Sequence, residues 1–190
     1  MATLRIIIAS TRPGRAGLPV ANWFVPVARA HGGFDVEVTD LAELDLPFMD
    51  EPKHPRLREY TREHTREWSA TVEASDAFVF VMPEYNFGIN APLKNAIDYL
   101  HHEWQDKPVG FVSYGGISAG TRAVQMTKQI VSSVKMLPVY EAVYIPFVAG
   151  QIADGRFTPS DTTQQAATAL LDELVRVEAA LRPLRVAQRV

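Results

Sequence analysis

Three short segments of this chain are almost entirely apolar, and they constrain the fold more than any other feature. They are residues 4–9 (LRIIIA), 77–82 (AFVFVM) and 109–114 (VGFVSY). Strands of a parallel sheet are covered on both faces, and such strands have nearly continuous apolar sequences. The segments therefore predict the interior strands of a parallel sheet that has helices on both sides.

Two further segments predict strands in less buried positions. Residues 34–39 (FDVEVT) alternate apolar and polar side chains, which is typical of a strand wetted on one face. Residues 143–147 (VYIPF) contain Pro146, which is tolerated best at an edge or at a strand end. Right-handed crossovers and the edge character of the second strand favour the strand order 2-1-3-4-5. The prediction is an α/β three-layer sandwich with a five-stranded parallel sheet.

Helical periodicity fills the intervals between these strands. Apolar side chains recur at helical spacing in residues 21–28, 57–68, 93–100, 123–134 and 167–181. Pro26 lies inside the first pattern and is expected to kink or end that helix. The 190 residues contain no repeat or linker, so we predict a single domain, 1–190.

Composition excludes several classes of protein. The net charge of −3 does not suggest general affinity for nucleic acid or for an anionic membrane surface. The absence of cysteine removes disulfides, thiolate nucleophiles and cysteine-ligated metals. The five histidines have no carboxylate spacing that completes a metal site, and no apolar run approaches the roughly 18 residues of a spanning helix. We expect a cytoplasmic protein.

The loop after the first strand carries the first functional signal, in the segment IIIASTRPGRAG. Ser10 offers a hydroxyl, and Arg12 and Arg15 offer forked, charge-assisted hydrogen bonds to an anion. The amino end of the following helix also favours a phosphate. Gly14 permits a conformation that a side chain opposes. The loop matches neither the Walker nor the dinucleotide pattern, and a solvated basic connection is the alternative.

The loop after the third strand begins with Pro83, which ends the strand. The turn that follows contains two large aromatic side chains, Tyr85 and Phe87. One of them would cover an aromatic ring, while backbone groups of Glu84, Tyr85 and Asn86 reach the polar edge of that ring. The alternative is that the aromatic side chains pack under the loop or at a subunit contact, and for Phe87 we favour this alternative.

The helix after this loop has its own start signals. Asn90 or Ala91 is expected to be its N-cap, with Pro92 in the first turn. Lys94 and Asp98 are four residues apart and predict a surface ion pair.

The loop after the fourth strand, SYGGISAGTR, contains paired glycines. Gly115 and Gly116 permit close approach of backbone N–H groups to a flat ligand, or they form a flexible turn. Arg122, on the next helix, is expected to form an ion pair or an interface contact.

With these three loops, the chain resembles the NADPH-dependent FMN reductase family of flavodoxin-like proteins. The most specific match is PEYNFGINAPLKNAIDYL, preceded by STRPGR and followed by YGG. The resemblance implies a flavodoxin-like sandwich that holds FMN non-covalently. It implies phosphate contacts from Ser10, Arg12 and Arg15. It implies a ring lying against Pro83, Glu84, Tyr85 and Asn86, with Tyr114, Gly115 and Gly116 at its pyrimidine side.

The resemblance also implies a reaction. FMN takes hydride from NADPH or NADH and then reduces a second small-molecule acceptor, by ping-pong. A quinone, an azo compound, a metal oxyanion and free flavin are all compatible acceptors. Because the cofactor performs the difficult step, no side chain is assigned as a catalytic residue.

A hydride donor needs a covered ring, and the loops of one subunit look too short to supply all of that cover. We therefore expect a homodimer or homotetramer, with contacts through Phe87, Trp104 and the helix after the second of the three loops.

Two other functions remain open. A flavodoxin-type electron carrier would bind FMN and dock to redox proteins, but such carriers are usually strongly acidic and have Ser/Thr-rich phosphate loops. A cofactor-free interaction domain would keep the fold and stay colourless when FMN is added.

Overall fold

A computed structural model describes residues 1–187 of the chain. It contains seven strands and six α-helices, with short 3₁₀ turns between them. In chain order these are β1 (Thr3–Ile8), α1 (Gly17–His31), β2 (Asp35–Asp40), α2 (Leu41–Leu44), α3 (Glu63–Glu73), β3 (Ala77–Pro83), α4 (Ala91–Asp98), β4 (Pro108–Tyr114), α5 (Thr121–Ser133), β5 (Leu137–Ile145), β6 (Ile152–Ala153), β7 (Arg156–Phe157) and α6 (Asp161–Ala187).

The main sheet has five parallel strands in the order β2-β1-β3-β4-β5, which confirms the prediction. Every residue of β3 and of β4 is buried, as their continuous apolar sequences indicated. The fifth strand differs from its predicted bounds, since it begins at Leu137 and ends at Ile145. Pro146 therefore lies just outside the strand, where its missing N–H costs no ladder hydrogen bond.

The alternation of side chains along the strands divides the core into two layers. Leu4, Ile6 and Ile8 face the layer that is covered by α1 and α6. Ile7 faces the opposite layer, which is covered by α3, α4 and α5. This is the three-layer arrangement that the sequence predicts.

The first helix continues through Pro26 and ends at Gly32, whose φ is 74°. Of the two outcomes predicted for Pro26, a kink or an end of the helix, the end does not occur. Pro26 is on the exposed side, while Phe24 and Ala28 are buried against the sheet. The packing of this inner face holds the helix despite one missing hydrogen bond.

The helix before β3 begins later than its periodicity indicated. Leu57 is exposed and, like Tyr60, precedes α3. The Glu51 carboxylate accepts hydrogen bonds from the backbone N–H groups of Thr61 and Arg62, just before the helix starts. Burial acts to raise the pKa of Glu51, but these hydrogen bonds lower it to about 2.

Trp104 corrects one expectation about subunit contacts. Its side chain is fully buried against Trp68 and Phe78, and its Nε1 donates to the Ile97 carbonyl at 3.1 Å. Trp104 therefore belongs to the core of a single subunit. In residues 1–187, no helix combines the length and the hydropathy needed to cross a membrane.

Candidate functional site

Three loops meet at the carboxyl ends of β1, β3 and β4. We call them loop one (residues 9–16), loop two (residues 84–90) and loop three (residues 115–120). The N–H of Ala9 donates to the Val81 carbonyl at 3.0 Å, and the N–H of Glu84 donates to the Tyr114 carbonyl at 3.2 Å. Because these bonds join the three strand ends, the loops form one continuous rim.

Loop one is a tight turn that leads into α1. The N–H of Arg15 donates to the Arg12 carbonyl at 3.1 Å, and Gly14 has the positive φ of 68° that favours glycine. The N-cap of α1 is Ala16, which has no side chain to accept from the first N–H groups of the helix. The positive end of the α1 dipole therefore faces loop one without a side-chain cap.

The two arginines of loop one have different environments. Arg12 is exposed, and its side chain has no partner among residues 1–187. Arg15 directs its guanidinium inward, where Nη1 donates to the Ser10 carbonyl at 2.6 Å and both terminal nitrogens donate to the Asp40 carboxylate. The hydrogen bond to Asp40 raises the pKa of Arg15.

Asp40 was missed from the sequence as a residue of this site. It is the last residue of β2, and it pairs in register with Ile8 at the end of β1. A carboxylate at the end of an edge strand, next to the strand that carries a basic loop, was the available signal. That signal becomes usable only once the strand order is known.

Loop two turns through a pair of hydrogen bonds. The N–H of Tyr85 donates to the Gly88 carbonyl at 3.1 Å, and the N–H of Gly88 donates back at 2.9 Å. Asn86 and Phe87 have φ values of 48° and 69°, as the central residues of a type I′ turn do. The N–H groups of Glu84 and Tyr85 are thus bonded within the chain, whereas that of Asn86 has no such partner in the described residues.

The aromatic side chains of loop two diverge. The Tyr85 hydroxyl lies 3.0 Å from Ser10 Oγ, so it joins loop two to loop one. Phe87 is 69% exposed, and the Arg122 guanidinium lies 3.9 Å from the centre of its ring. Phe87 therefore does not pack under its own loop.

The Glu84 side chain joins loop two to loop three. Its carboxylate accepts from Ser118 Oγ at 2.9 Å, from the Arg122 N–H at 3.1 Å and from Arg122 Nε at 2.6 Å. Burial acts to raise the pKa of Glu84, but the hydrogen bonds from Arg122 and Ser118 outweigh it and lower the pKa. The expected ion pair of Arg122 is confirmed, as is the surface pair of Lys94 and Asp98.

Loop three leaves open space at one of its paired glycines. A Cβ at Gly116 would meet nothing within 4 Å, whereas one at Gly115 would lie 3.3 Å from the Gly120 nitrogen. The Tyr114 side chain turns away from loop three and lies under loop one, where its hydroxyl would be 2.5 Å from a Cβ at Gly17. Burial raises the pKa of Tyr114 well above its usual value.

Two buried polar atoms beside loop one lack partners in the described part of the chain. Asn90 is the N-cap of α4, but its side chain does not cap the helix. Its Nδ2 instead donates to the Ala9 carbonyl at 2.6 Å, and its Oδ1 has no hydrogen bond. The Tyr114 hydroxyl also has none. Buried polar atoms are nearly always hydrogen-bonded, so orphaned ones indicate that the site is completed by a ligand or water.

A groove of about 510 Å³, which no sequence pattern predicted, lies beside loop one. Thr11 of loop one borders it, together with Leu41, Pro47, Phe48 and Pro92. Asn95 stabilises one wall, because it accepts from the N–H of Met49 and donates to the Pro47 carbonyl. The groove adjoins the rim but does not include the turn of loop two or the glycines of loop three.

The comparison with known families agrees with this geometry. The model of the family described as NADPH-dependent FMN reductase matches residues 2–150. The chain belongs to this family. The family's activity makes it an NAD(P)H-dependent flavoprotein oxidoreductase with FMN as its cofactor.

Individual relatives cover most of the chain. It is 35% identical over 156 residues to an NAD(P)H-dependent FMN reductase, ntnL, of Nectria sp. The aligned region covers 79% of this chain and 78% of the relative. It is 39% identical over 145 residues to an NAD(P)H-dependent FMN reductase of Schizosaccharomyces pombe. The aligned region covers 74% of this chain and 72% of the relative.

Among solved structures, the fold resembles FerB, a flavoenzyme NAD(P)H:acceptor oxidoreductase from Paracoccus denitrificans. The TM-score is 0.75 at 22% identity, and the match covers 95% of this chain and 98% of FerB. At this identity the likeness concerns the fold alone.

The residues of the rim fit FMN. An uncapped helix end and the unpaired Arg12 suit a phosphate, and the N–H of Asn86 and the open space at Gly116 suit the polar edge of a flat ring.

Proposed function

We propose that the three loops together bind FMN. Its phosphate would lie at loop one, against Ser10, Arg12, Arg15 and the amino end of α1. Its ring would lie along Pro83, Glu84, Tyr85 and Asn86, with the backbone of Tyr114, Gly115 and Gly116 at the pyrimidine side. The observation that carries this proposal is a set of polar groups at the rim that have no partner in residues 1–187: the uncapped end of α1, the guanidinium of Arg12 and Asn90 Oδ1.

Bound FMN supplies a two-electron relay between NAD(P)H and a second acceptor. The chain's own residues bind and orient. Arg12 offsets the charge of the phosphate, and the Glu84–Arg122 ion pair keeps loops two and three at a fixed separation. The open space at Gly116 lets a flat molecule approach the backbone. No side chain is required as an acid or base.

We propose that NAD(P)H and the acceptor use one open face in turn. The test is steady-state turnover of the FMN-loaded protein, with NADH or NADPH varied against a quinone, an azo dye, chromate or free flavin. Parallel double-reciprocal lines would support alternate binding, and intersecting lines would contradict it. Tight FMN binding without turnover of any small acceptor would favour an electron carrier instead.

We also propose a homodimer, or a dimer of dimers, in which a second subunit covers the open face of the rim. Large apolar side chains are exposed beside the loops at Phe87, Ile117 and Phe147. Light scattering should give at least the mass of a dimer. Phe87→Ser with Ile117→Ser should shift the protein toward monomer, whereas Tyr140→Ser, an exposed aromatic on β5, should not. A monomeric wild-type protein would contradict the proposal.

We propose that the protein is cytoplasmic, where NADPH and NADH are supplied.

A further inference from the structure

We infer that, of the two arginines placed at the phosphate above, Arg15 is a positioning residue that acts with Asp40 to set the shape of loop one, so that the contact with the phosphate is made by Arg12 and not by Arg15. This inference rests on the proposed FMN site and divides the work between its two arginines.

The contacts of Arg15 are directed into the protein. Its side chain is 14% exposed and that of Asp40 is 7% exposed, and the two form a bidentate pair. Arg15 Nη1 also donates to the Ser10 carbonyl at 2.6 Å. The guanidinium therefore already has three acceptors within the chain, and its charge is matched by the carboxylate beside it.

Asp40 connects loop one to the neighbouring strand and helix. It ends β2, and its Oδ1 accepts from the N–H of Ala42 at 3.0 Å, so it caps α2. Through Arg15, the carboxylate links the end of β2 to the Ser10 carbonyl. The Ser10 hydroxyl, on the same residue, lies against the Tyr85 hydroxyl. The Asp40–Arg15 pair thereby holds the turn on which the proposed phosphate donors lie.

Arg12 has the opposite environment. It is exposed at the outer side of the same turn, and its side chain has no acceptor or carboxylate partner in residues 1–187. An unpaired guanidinium can bind a phosphate without first breaking an ion pair, whereas a buried pair must be disrupted at a cost in free energy. The net positive charge of loop one therefore comes from Arg12.

Riboflavin tests the phosphate contact of Arg12, because it has the same ring and ribityl chain as FMN but no phosphate. Dissociation constants of both flavins would be measured by fluorescence quenching on the apoprotein, with circular dichroism and thermal unfolding to confirm that each variant is folded. Arg12→Ala should weaken FMN binding at least about tenfold and leave riboflavin binding within about twofold. The FMN-to-riboflavin ratio should therefore fall.

Asp40→Asn keeps the charge of Arg15 but removes its forked partner, so it should weaken FMN binding by about fivefold if Arg15 only positions loop one. If Arg15 bound the phosphate directly, freeing it from Asp40 would instead tighten FMN binding. Arg15→Lys should also weaken FMN binding. Lysine cannot reproduce a forked pair but remains a point charge. Arg12→Lys should accordingly keep most of the preference for FMN, whereas Arg15→Lys should not restore the affinity that Arg15→Ala loses.

The inference would be overturned if Asp40→Asn bound FMN more tightly than the wild type does, because Arg15 would then be a phosphate ligand for which Asp40 competes. It would also be overturned if folded Asp40→Asn bound both flavins as the wild type does, since the pair would then be merely structural. A wild-type protein that binds neither flavin would instead refute the proposed FMN site, so the two failures are distinguishable. If Arg15→Ala does not fold, Arg15→Lys and Asp40→Asn still decide the question.

Discussion

Buried polar groups at the two ends of the sheet differ in their hydrogen-bond partners. At the amino end, Arg185 pairs with Glu178 and donates to the Asp106 carbonyl at 3.0 Å, and Lys107 Nζ donates to the Val72 carbonyl at 2.8 Å. At the carboxyl end, Asn90 Oδ1 and the Tyr114 hydroxyl have no partners in the described residues. The buried charges at the amino end thus have partners within the chain, whereas the two orphaned atoms at the carboxyl end lie beside the proposed FMN site. The other buried side-chain atoms without a partner in residues 1–187 are His31 Nδ1 and Thr65 Oγ1.

The largest effect is expected at the amino end, from Glu178→Ala. The variant removes the nearer of the two carboxylates paired with the buried Arg185, and only Asp76, at 3.4 Å, remains, which should lower the free energy of unfolding by about 3 kcal/mol. Urea unfolding of the apoprotein measures the loss. FMN affinity of the folded variant should stay within about twofold of the wild type. A marked loss of FMN affinity would contradict the separation of the two regions, because the amino and carboxyl ends of the sheet would then be energetically coupled.

The next effect concerns the start of α1. Gly17→Ala places a Cβ 2.5 Å from the Tyr114 hydroxyl, and overpacking of this kind typically costs about 1–3 kcal/mol. Tyr114→Phe removes the clashing oxygen, so the double variant should regain most of the stability. Tyr114→Phe alone should cost the apoprotein little stability, since the hydroxyl has no partner in residues 1–187 to lose. Thermal unfolding and FMN titration of all three variants would check this, and an additive double variant would contradict it.

Glu84→Gln should have a smaller effect, centred on the site. The substitution keeps the shape but removes the charge that holds Arg122, which should cost about 1–2 kcal/mol of stability. FMN affinity should fall by about fivefold, equivalent to about 1 kcal/mol. Asp98→Asn is the matched control, because it breaks an exposed ion pair on α4 worth about 0.3–0.5 kcal/mol. Equal losses of FMN affinity in the two variants would exclude a specific role for Glu84.

The smallest effect on the candidate site is expected from Glu51→Gln, whose cost in stability is fully present near neutral pH and disappears in acid. Because the folded pKa of Glu51 is about 2, below its usual 4.5, the carboxylate contributes stability above pH 4.5 that is lost as the pH falls towards 2. Glu51→Gln should flatten the pH dependence of stability in that window, with FMN affinity at pH 7 unchanged. Unfolding measured from pH 7 to pH 2 would check this. An unchanged acid profile would show that the hydrogen bonds to Thr61 and Arg62 do not stabilise the start of α3.

Much of the fold was predictable because burial on both faces leaves a direct trace in sequence. The continuous apolar segments located β1, β3 and β4, and the alternation in residues 34–39 placed β2 at an edge. Local patterns were less reliable where tertiary contacts intervene. Leu57 matched a helical period by chance, and Pro26 was accommodated by packing of the opposite face of α1.

The candidate site divides in the same way. Sequence alone was enough to predict which loops would bind the phosphate and the flat ring of the proposed site, because Ser10, Arg12 and the glycines of loop three suit these ligands in their local composition. Only the tertiary structure decided that Arg15 is paired with Asp40, that Asn90 reaches the Ala9 carbonyl, and that Trp104 is buried in the core. Residues 25 and 81 positions apart are joined in these hydrogen bonds. Such partners are fixed by strand order and register, which bring the ends of distant strands together, and no local pattern records them.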